Sequence, residues 1–176
     1  RQRQTGDPER PRLVTTRTGI DHTERMEAWA ERRTAELEKE ELCGFIFKSK
    51  SPSSGMERVK VYDGKGVPHK VGTGIFARIF MEHFPLIPVE EDGRLHDPVD
   101  RENFIARIFT VMLYRHAVKQ KKYIRSLIEF HSRNKLMLMA HSPKCLKEMG
   151  VLVAHAEKSS PNEVYGKYEK LLMEAM

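Results

Sequence analysis

Between Lys48 and Gly55 the chain reads Lys-Ser-Lys-Ser-Pro-Ser-Ser-Gly, two lysines, four serines, a proline and a glycine in succession. Hydroxyls, backbone amides and positive charge gathered between two β-prone runs suit an anion or a polar heterocycle. A plain surface turn has the same composition, so composition leaves both readings open. A second candidate, Gly72-Thr73-Gly74-Ile75-Phe76-Ala77, matches G-x-G-x-x-A, with Glu90 near the spacing of a ribose-binding acid. A dinucleotide site needs its glycines directly after a strand. Here the preceding strand-like run ends at Tyr62 and Pro68-His69-Lys70 intervenes, so the glycines read as a helix-entry turn. His141 and Cys145 have the i, i+4 spacing of two metal ligands on one helix face, with His131 or His155 as a third. Pro143 between them argues against a shared helix face and favours structural histidines.

The elements that position these groups follow from periodicity. Arg12 to Thr16 is a short strand in an otherwise extended Arg-, Thr- and Pro-rich start. Met26, Trp29, Ala30, Arg33 and Leu37 recur at helical spacing behind Asp21 and Glu24, a capping-box-like pair, so an amphipathic helix is expected with Trp29 as a core anchor. Gly44 to Lys48 and Val59 to Tyr62 are strand-like runs on either side of the serine loop, and Asp63 to Val71 is rich in turn formers. A second helical stripe follows at Phe76, Ile79 and Phe80, then a candidate edge strand at Leu86 to Val89, where Pro88 cannot donate to a central ladder. From Asp97 the period is helical throughout. One stripe holds Phe104, Ile105, Ile108, Phe109 and Met112, and another holds Tyr123, Ile124, Leu127, Ile128 and His131. Pro143 and Pro161 mark helix starts or breaks. The expected fold class is α/β, a mixed sheet with flanking helices, followed by an all-α domain. The boundary is placed at the basic hinge, giving domains 1–118 and 119–176.

Composition narrows the function classes. With 176 residues, 39% hydrophobic and 32% charged, the chain belongs among soluble globular proteins. No apolar run approaches the roughly 20 residues of a membrane span, so a cytoplasmic location with no membrane partner is expected. Two cysteines, Cys43 and Cys145, build neither a disulfide framework nor a four-thiolate site. Net charge is +6 and uneven. Residues 1–110 hold 19 Lys+Arg and 19 Asp+Glu, leaving 12 and 6 for residues 111–176. Leu113 to Lys147 alone carries nine basic side chains against Glu129, among them Lys121, Lys122, Arg125, Arg133, Lys135 and Lys144. Such a face attracts phosphates, as nucleic-acid binders do, or is a solvated surface. His131, Asn134 and His141 lie in the same region, as nucleotide contacts or as packing and capping groups.

Three stretches carry a resemblance. Glu41-Leu42-Cys43-Gly44-Phe45-Ile46-Phe47 with the serine loop, then Gly72 to Ala77, then Phe84-Pro85-Leu86-Ile87-Pro88-Val89-Glu90-Glu91 with Arg101 to Ile105, resemble the thiouracil and thiouridine desulfurases over residues 12 to 115. Leu127 to Lys135 and Met139 to Lys144 resemble the YbgA-like helical domain fused behind them, and residues 119–176 would be its start. The resemblance implies removal of sulfur from a thiolated pyrimidine, in the fused form 4-thiouridine in tRNA, through a 4Fe-4S cluster held by three cysteines. It further implies substrate contacts at Lys48, Ser49, Ser51 and Ser53, and RNA held by the basic helical domain. The cluster-ligating cysteine after the Ser-Pro-Ser run is Ser54 here, and the other two family ligands would precede Arg1, as part of an N-terminal portion of the domain. A serine hydroxyl is a hard, high-pKa donor and replaces a thiolate poorly, so this chain is not expected to bind the cluster. The alternative is a non-catalytic RNA-binding or interaction module that has lost the cluster site.

Overall fold

The computed structural model describes residues 1–119 and 123–176. The chain divides into two compact units, Arg1–Arg101 and Glu102–Met176, with the division falling inside one helix, α3.

The first unit is built on β1 (Gln2–Thr5), β2 (Arg12–Thr15), α1 (Thr23–Leu37), β3 (Phe45–Phe47), β4 (Val59–Tyr62), β5 (Pro68–Gly72), α2 (Ile75–His83) and β6 (Val89–Glu91). Four strands form a mixed sheet in the order β2-β1-β4-β5, with β1 parallel to β4 and both outer pairs antiparallel. The other two, β3 and β6, pair in parallel as a separate ribbon, Phe45 opposite Val89 and Phe47 opposite Glu91. Two of these strands escape sequence reading. β1 is Gln-Arg-Gln-Thr, with no apolar residue to signal it, and β5 begins at Pro68 inside the turn-rich stretch. The edge strand lies slightly later than expected, at Val89–Glu91, and the Pro88 carbonyl accepts from Phe45 N at 3.0 Å.

α1 buries Ala30, Thr34 and Leu37, one line at i, i+4 and i+7, and the Thr34 hydroxyl returns to the Ala30 carbonyl at 2.6 Å. Asp21 does not cap α1 in the expected register. His22 is the N-cap, while Asp21 accepts from the amide and hydroxyl of Thr23. Trp29 lies one residue off the buried line and is 42% exposed, so it is not the core anchor that its spacing predicts. The core between α1, α2 and β3 is aromatic instead. Phe45 meets Phe80 at 4.3 Å between ring centroids, and Phe47 meets Phe80 edge-on at 5.5 Å.

The second unit holds the rest of α3 (Pro98–Tyr114), a π turn at Arg115–Lys119, and α4 (Ile124–His141), α5 (Pro143–Ala154) and α6 (Pro161–Ala175). Tyr114, Leu127, Phe130, Leu138, Met149 and Tyr168 are among its buried residues. Tyr114 stacks on Tyr168 at 5.7 Å and donates to the Tyr165 carbonyl at 3.0 Å. Burial pushes both phenols above their ordinary value, so they remain neutral. Of the expected α3 stripe Phe104 is buried, but Ile105, Phe109 and Met112 are exposed, and Thr110, Val111 and Tyr114 are buried instead. In α4, Leu127 is buried as expected, whereas Ile128 and the preceding Tyr123 are exposed.

His141 ends α4, and Ser142 starts α5 by accepting from Cys145 N at 3.2 Å, with Pro143 in the first turn. The helix break removes the shared face that a His141–Cys145 metal pair requires, and Cys145 is buried. Ser142→Ala is expected to destabilise the helical unit by about 1 kcal/mol, the usual cost of an N-cap. Urea unfolding followed by helical circular dichroism checks this, and an unchanged midpoint would contradict it.

Candidate functional site

The serine loop leaves β3 and is gripped at both ends by the acids that end and follow β6. At its start, Lys48 Nζ lies 2.7 Å from Asp92 Oδ2, Ser49 N donates to Asp92 Oδ1 at 2.8 Å, and the Ser49 hydroxyl donates to the same oxygen. The Lys48 ammonium and the Ser49 donors hold the Asp92 carboxyl well below the usual carboxylate range. At its far end, the buried Glu91 accepts from Met56 N at 2.8 Å and from Glu57 N at 3.4 Å. Glu90 pairs with Arg94, which also reaches Asp100 and Glu57.

The middle of the loop is held from two further directions. Gln4, fully buried in β1, donates through Nε2 to Pro52 O at 2.9 Å and to Thr73 O at 2.7 Å. The first amides of α2 find their acceptors in the loop: Gly74 N donates to Gly55 O at 2.7 Å and Phe76 N to Ser53 O at 2.8 Å. A Cβ on Gly74 would lie 2.5 Å from the Ser53 carbonyl carbon, so only glycine permits this approach. The Gly72–Gly74 segment is therefore a helix-entry turn. Two of the amides that a bound pyrophosphate would need are already engaged by the loop.

Of the four expected substrate residues, Lys48 and Ser49 are both bound to Asp92. Ser51 shapes the turn, its hydroxyl oxygen accepting from Ser54 N at 3.2 Å and lying 3.1 Å from Ser53 Oγ. Lys48 and Ser53, with Ser54, line a cavity of about 430 Å³. Its walls are Trp29, Phe45, Phe47 and Phe76, with Met26 and Ile46 beside them. The Ser54 hydroxyl has no hydrogen-bond partner among the described residues. An aromatic slot with one hydroxyl- and ammonium-bearing edge matches a small flat ring carrying polar substituents. Sequence reasoning missed Trp29 and Met26 as lining residues. The signal was present in the amphipathic spacing of α1, whose buried line leaves both of them at its edge.

Ser54 stands where the resemblance implies a cluster-ligating thiolate. The donor set of this chain does not fit a 4Fe-4S cluster, which is held by three or four cysteine thiolates. Cys43 lies before β3, its thiol 3.7 Å from the Glu41 carbonyl, and Cys145 is buried in the other unit. Among the described residues, no group of three or more His, Cys, Asp or Glu side chains is arranged to hold a metal ion.

In the helical unit, Lys121 and Lys122 lie outside the described residues. Arg125, Arg133, Lys135 and Lys144 are all exposed, and Arg125 pairs with Glu129 at 3.2 Å. Lys144 and Lys147 on α5 share the rim of a groove with Lys167 and Lys170 on α6, over Val151, Leu152 and Leu171. The two α6 lysines fall beyond the dense basic run, which therefore does not single them out. Lys167 is paired with Glu163 at 2.6 Å. His131 is half-buried, its Nδ1 3.1 Å from Tyr168 Oη, and burial with the nearby Lys135 holds it below its ordinary value. Asn134 donates to Phe130 O at 2.8 Å, so both residues are engaged in the helical packing, while His141 is exposed.

The Asp92 grip has a pH dependence with a definite sign. A carboxyl held below its unfolded value of about 3.9 contributes stability that is fully present above that pH and is lost as pH falls through the folded value. Asp92→Asn is expected to lower the melting midpoint at neutral pH, and the gap to wild type should narrow as pH is brought from about 5 toward 2. A gap that stays constant would show that the ionised carboxylate does not hold the loop.

A family model described as 2-thiouracil desulfurase matches residues 1–92, which include β1 through β6 and every residue lining the cavity. A second model, described as a protein of unknown function (DUF1722), matches residues 135–176. No curated protein and no solved structure matches the chain. The order of the two matches is that of the expected fusion with a YbgA-like segment, and the first spans more than half of the sequence: the chain belongs to the 2-thiouracil desulfurase family.

Proposed function

We propose that the cavity beside Ser54 receives a thiolated pyrimidine, and that the exposed basic side chains of the helical unit hold tRNA phosphates, so that 4-thiouridine in cytoplasmic tRNA is the substrate. The observation that carries this reading is the cavity itself, aromatic on its walls and hydroxylated at one edge, within the segment that matches the desulfurase family. Its volume of about 430 Å³ accommodates a six-membered ring with its substituents.

This chain's residues contribute recognition. The aromatic walls offer polarisable surface to a thiocarbonyl sulfur, which is a weaker hydrogen-bond acceptor than oxygen. Ser53 and Ser54 present hydroxyls to the polar edge of the ring, and the loop that carries them is fixed by Gln4, Glu91 and Asp92. By family resemblance, sulfur removal uses a 4Fe-4S cluster. The donor set here does not fit that cluster, and no step is assigned to it.

A second reading is favoured by Ser54 alone, namely a non-catalytic module that binds the pyrimidine or the RNA and leaves the sulfur in place. Titration with 2-thiouracil, together with iron and sulfide analysis after iron-sulfur reconstitution, tests both readings. Saturable binding is expected with far fewer than about four irons per chain. No binding would remove the pyrimidine reading, and a stable four-iron centre would show that the comparison of donors is wrong.

The RNA part is tested separately. Replacing Arg125, Arg133 and Lys144 with glutamine should weaken tRNA binding and lower the slope of log affinity against log salt by about one for each phosphate that is no longer neutralised. Equal affinity and parallel slopes would mean that these side chains form only a solvated face.

A further inference from the structure

We infer that Trp29 is the stacking platform of the Ser54 cavity, the residue that selects a flat heteroaromatic ring, and that it acts with no metal at the site. This rests on the reading of the cavity as a pyrimidine site and adds the residue that sets its affinity.

Four aromatic side chains line the cavity, and three of them are committed elsewhere. Phe47 and Phe76 are buried, and the Phe45 ring lies within 4.3 to 5.8 Å of Phe47, Phe76 and Phe80. Trp29 differs. It is 42% exposed, and its one ring neighbour among the described residues is Phe76, at 5.5 Å and tilted by 53°. Much of the indole surface is therefore unmatched by protein, at the edge of a cavity whose other aromatic walls are closed. Covering such surface with a second ring is favourable through both burial and stacking.

The platform is also fixed in advance. Trp29 projects from a 15-residue helix whose adjacent line, Ala30, Thr34 and Leu37, is buried, and the Glu27–Arg78 ion pair at 3.1 Å ties α1 to α2. Little ordering is left to occur on binding, which favours affinity. Met26, one turn earlier on α1, lines the same cavity and adds a soft thioether to the contact surface. Dispersion against indole and thioether suits a thiocarbonyl, whose large sulfur is polarisable and gains little from hydrogen bonding. The polar edge of Lys48, Ser53 and Ser54 contains no thiolate, so recognition through Trp29 does not depend on iron.

The sequence has one tryptophan, so its emission reports on the surroundings of Trp29 alone, which include a smaller cavity beside Gln2, Leu13 and His22 as well as this one. In the metal-free full chain, 2-thiouracil is expected to bind saturably by calorimetry, to quench Trp29 emission, to shield the indole from acrylamide and to lose intensity in its own near-ultraviolet band. Trp29→Phe should bind within a few-fold of wild type and keep the hypochromism. Trp29→Leu should bind roughly tenfold or more weakly and lose it, at the scale of a base–aromatic stack. If wild type binds but Trp29→Leu binds equally well, the inference is overturned while the pyrimidine reading stands. If Trp29→Leu does not fold, wild type decides alone: bound ligand that leaves the indole open to acrylamide overturns the stacking role. Failure of wild type to bind 2-thiouracil overturns the pyrimidine reading and this inference with it.

Discussion

Three consecutive acids, Glu90, Glu91 and Asp92, govern the geometry of the candidate site. They end and follow β6, whose parallel pairing with β3 sets where the serine loop begins. Asp92 fixes Lys48 and Ser49, Glu91 fixes Met56 and Glu57, and the loop between has both ends anchored to a single strand terminus. A polar loop cannot be held by hydrophobic burial, so charge-assisted hydrogen bonds to its backbone take that role. Gln4 and the first turn of α2 then hold the middle, and the cavity keeps its shape because its polar edge has little freedom to move.

The same arrangement bears on the serine at position 54. The backbone around residue 54 is supported by Ser51, by Gly55 and by the start of α2, none of which depends on a metal. A thiol or a hydroxyl is therefore presented from the same scaffold, and exchanging one for the other changes the chemistry of the corner more than its position. A hydroxyl corner is compatible with holding a heterocycle and poorly suited to binding iron. Family membership and a hydroxyl at the position where the resemblance implies a cluster-ligating thiolate thus meet at one residue, on a framework that serves both.

What can be read from the residues alone follows a physical division. The strands flanking the loop, α2 with its glycine entry, the proline-started helices and the change from mixed α/β to helical structure are all legible, because periodicity and turn chemistry report local preferences directly. β1 is not, since Gln4 is buried for its amide and not for any apolar surface. The α3 stripe misleads because two apolar lines run along that helix, and spacing alone does not say which one meets a core. Trp29 reads as an interior residue because a large aromatic on an amphipathic helix usually belongs there. The loop serines are recognisable as a group, but which of them shape the loop and which line the cavity depends on partners more than 40 residues away, such as Asp92 and Gln4.

The sequence separation of those partners bears on how the protein acquires its site. β1 joins β4 across Gln4 and Val61, β3 joins β6 across Phe45 and Val89, and Gln4 reaches Thr73. Each pairing closes a long chain segment before it yields any binding energy, and topologies dominated by such closures fold slowly. The helical unit has the opposite character, with neighbouring helices packing in sequence order, and such units form fast. During refolding the cavity is therefore expected to be a late product of the chain, appearing after the helices have already formed.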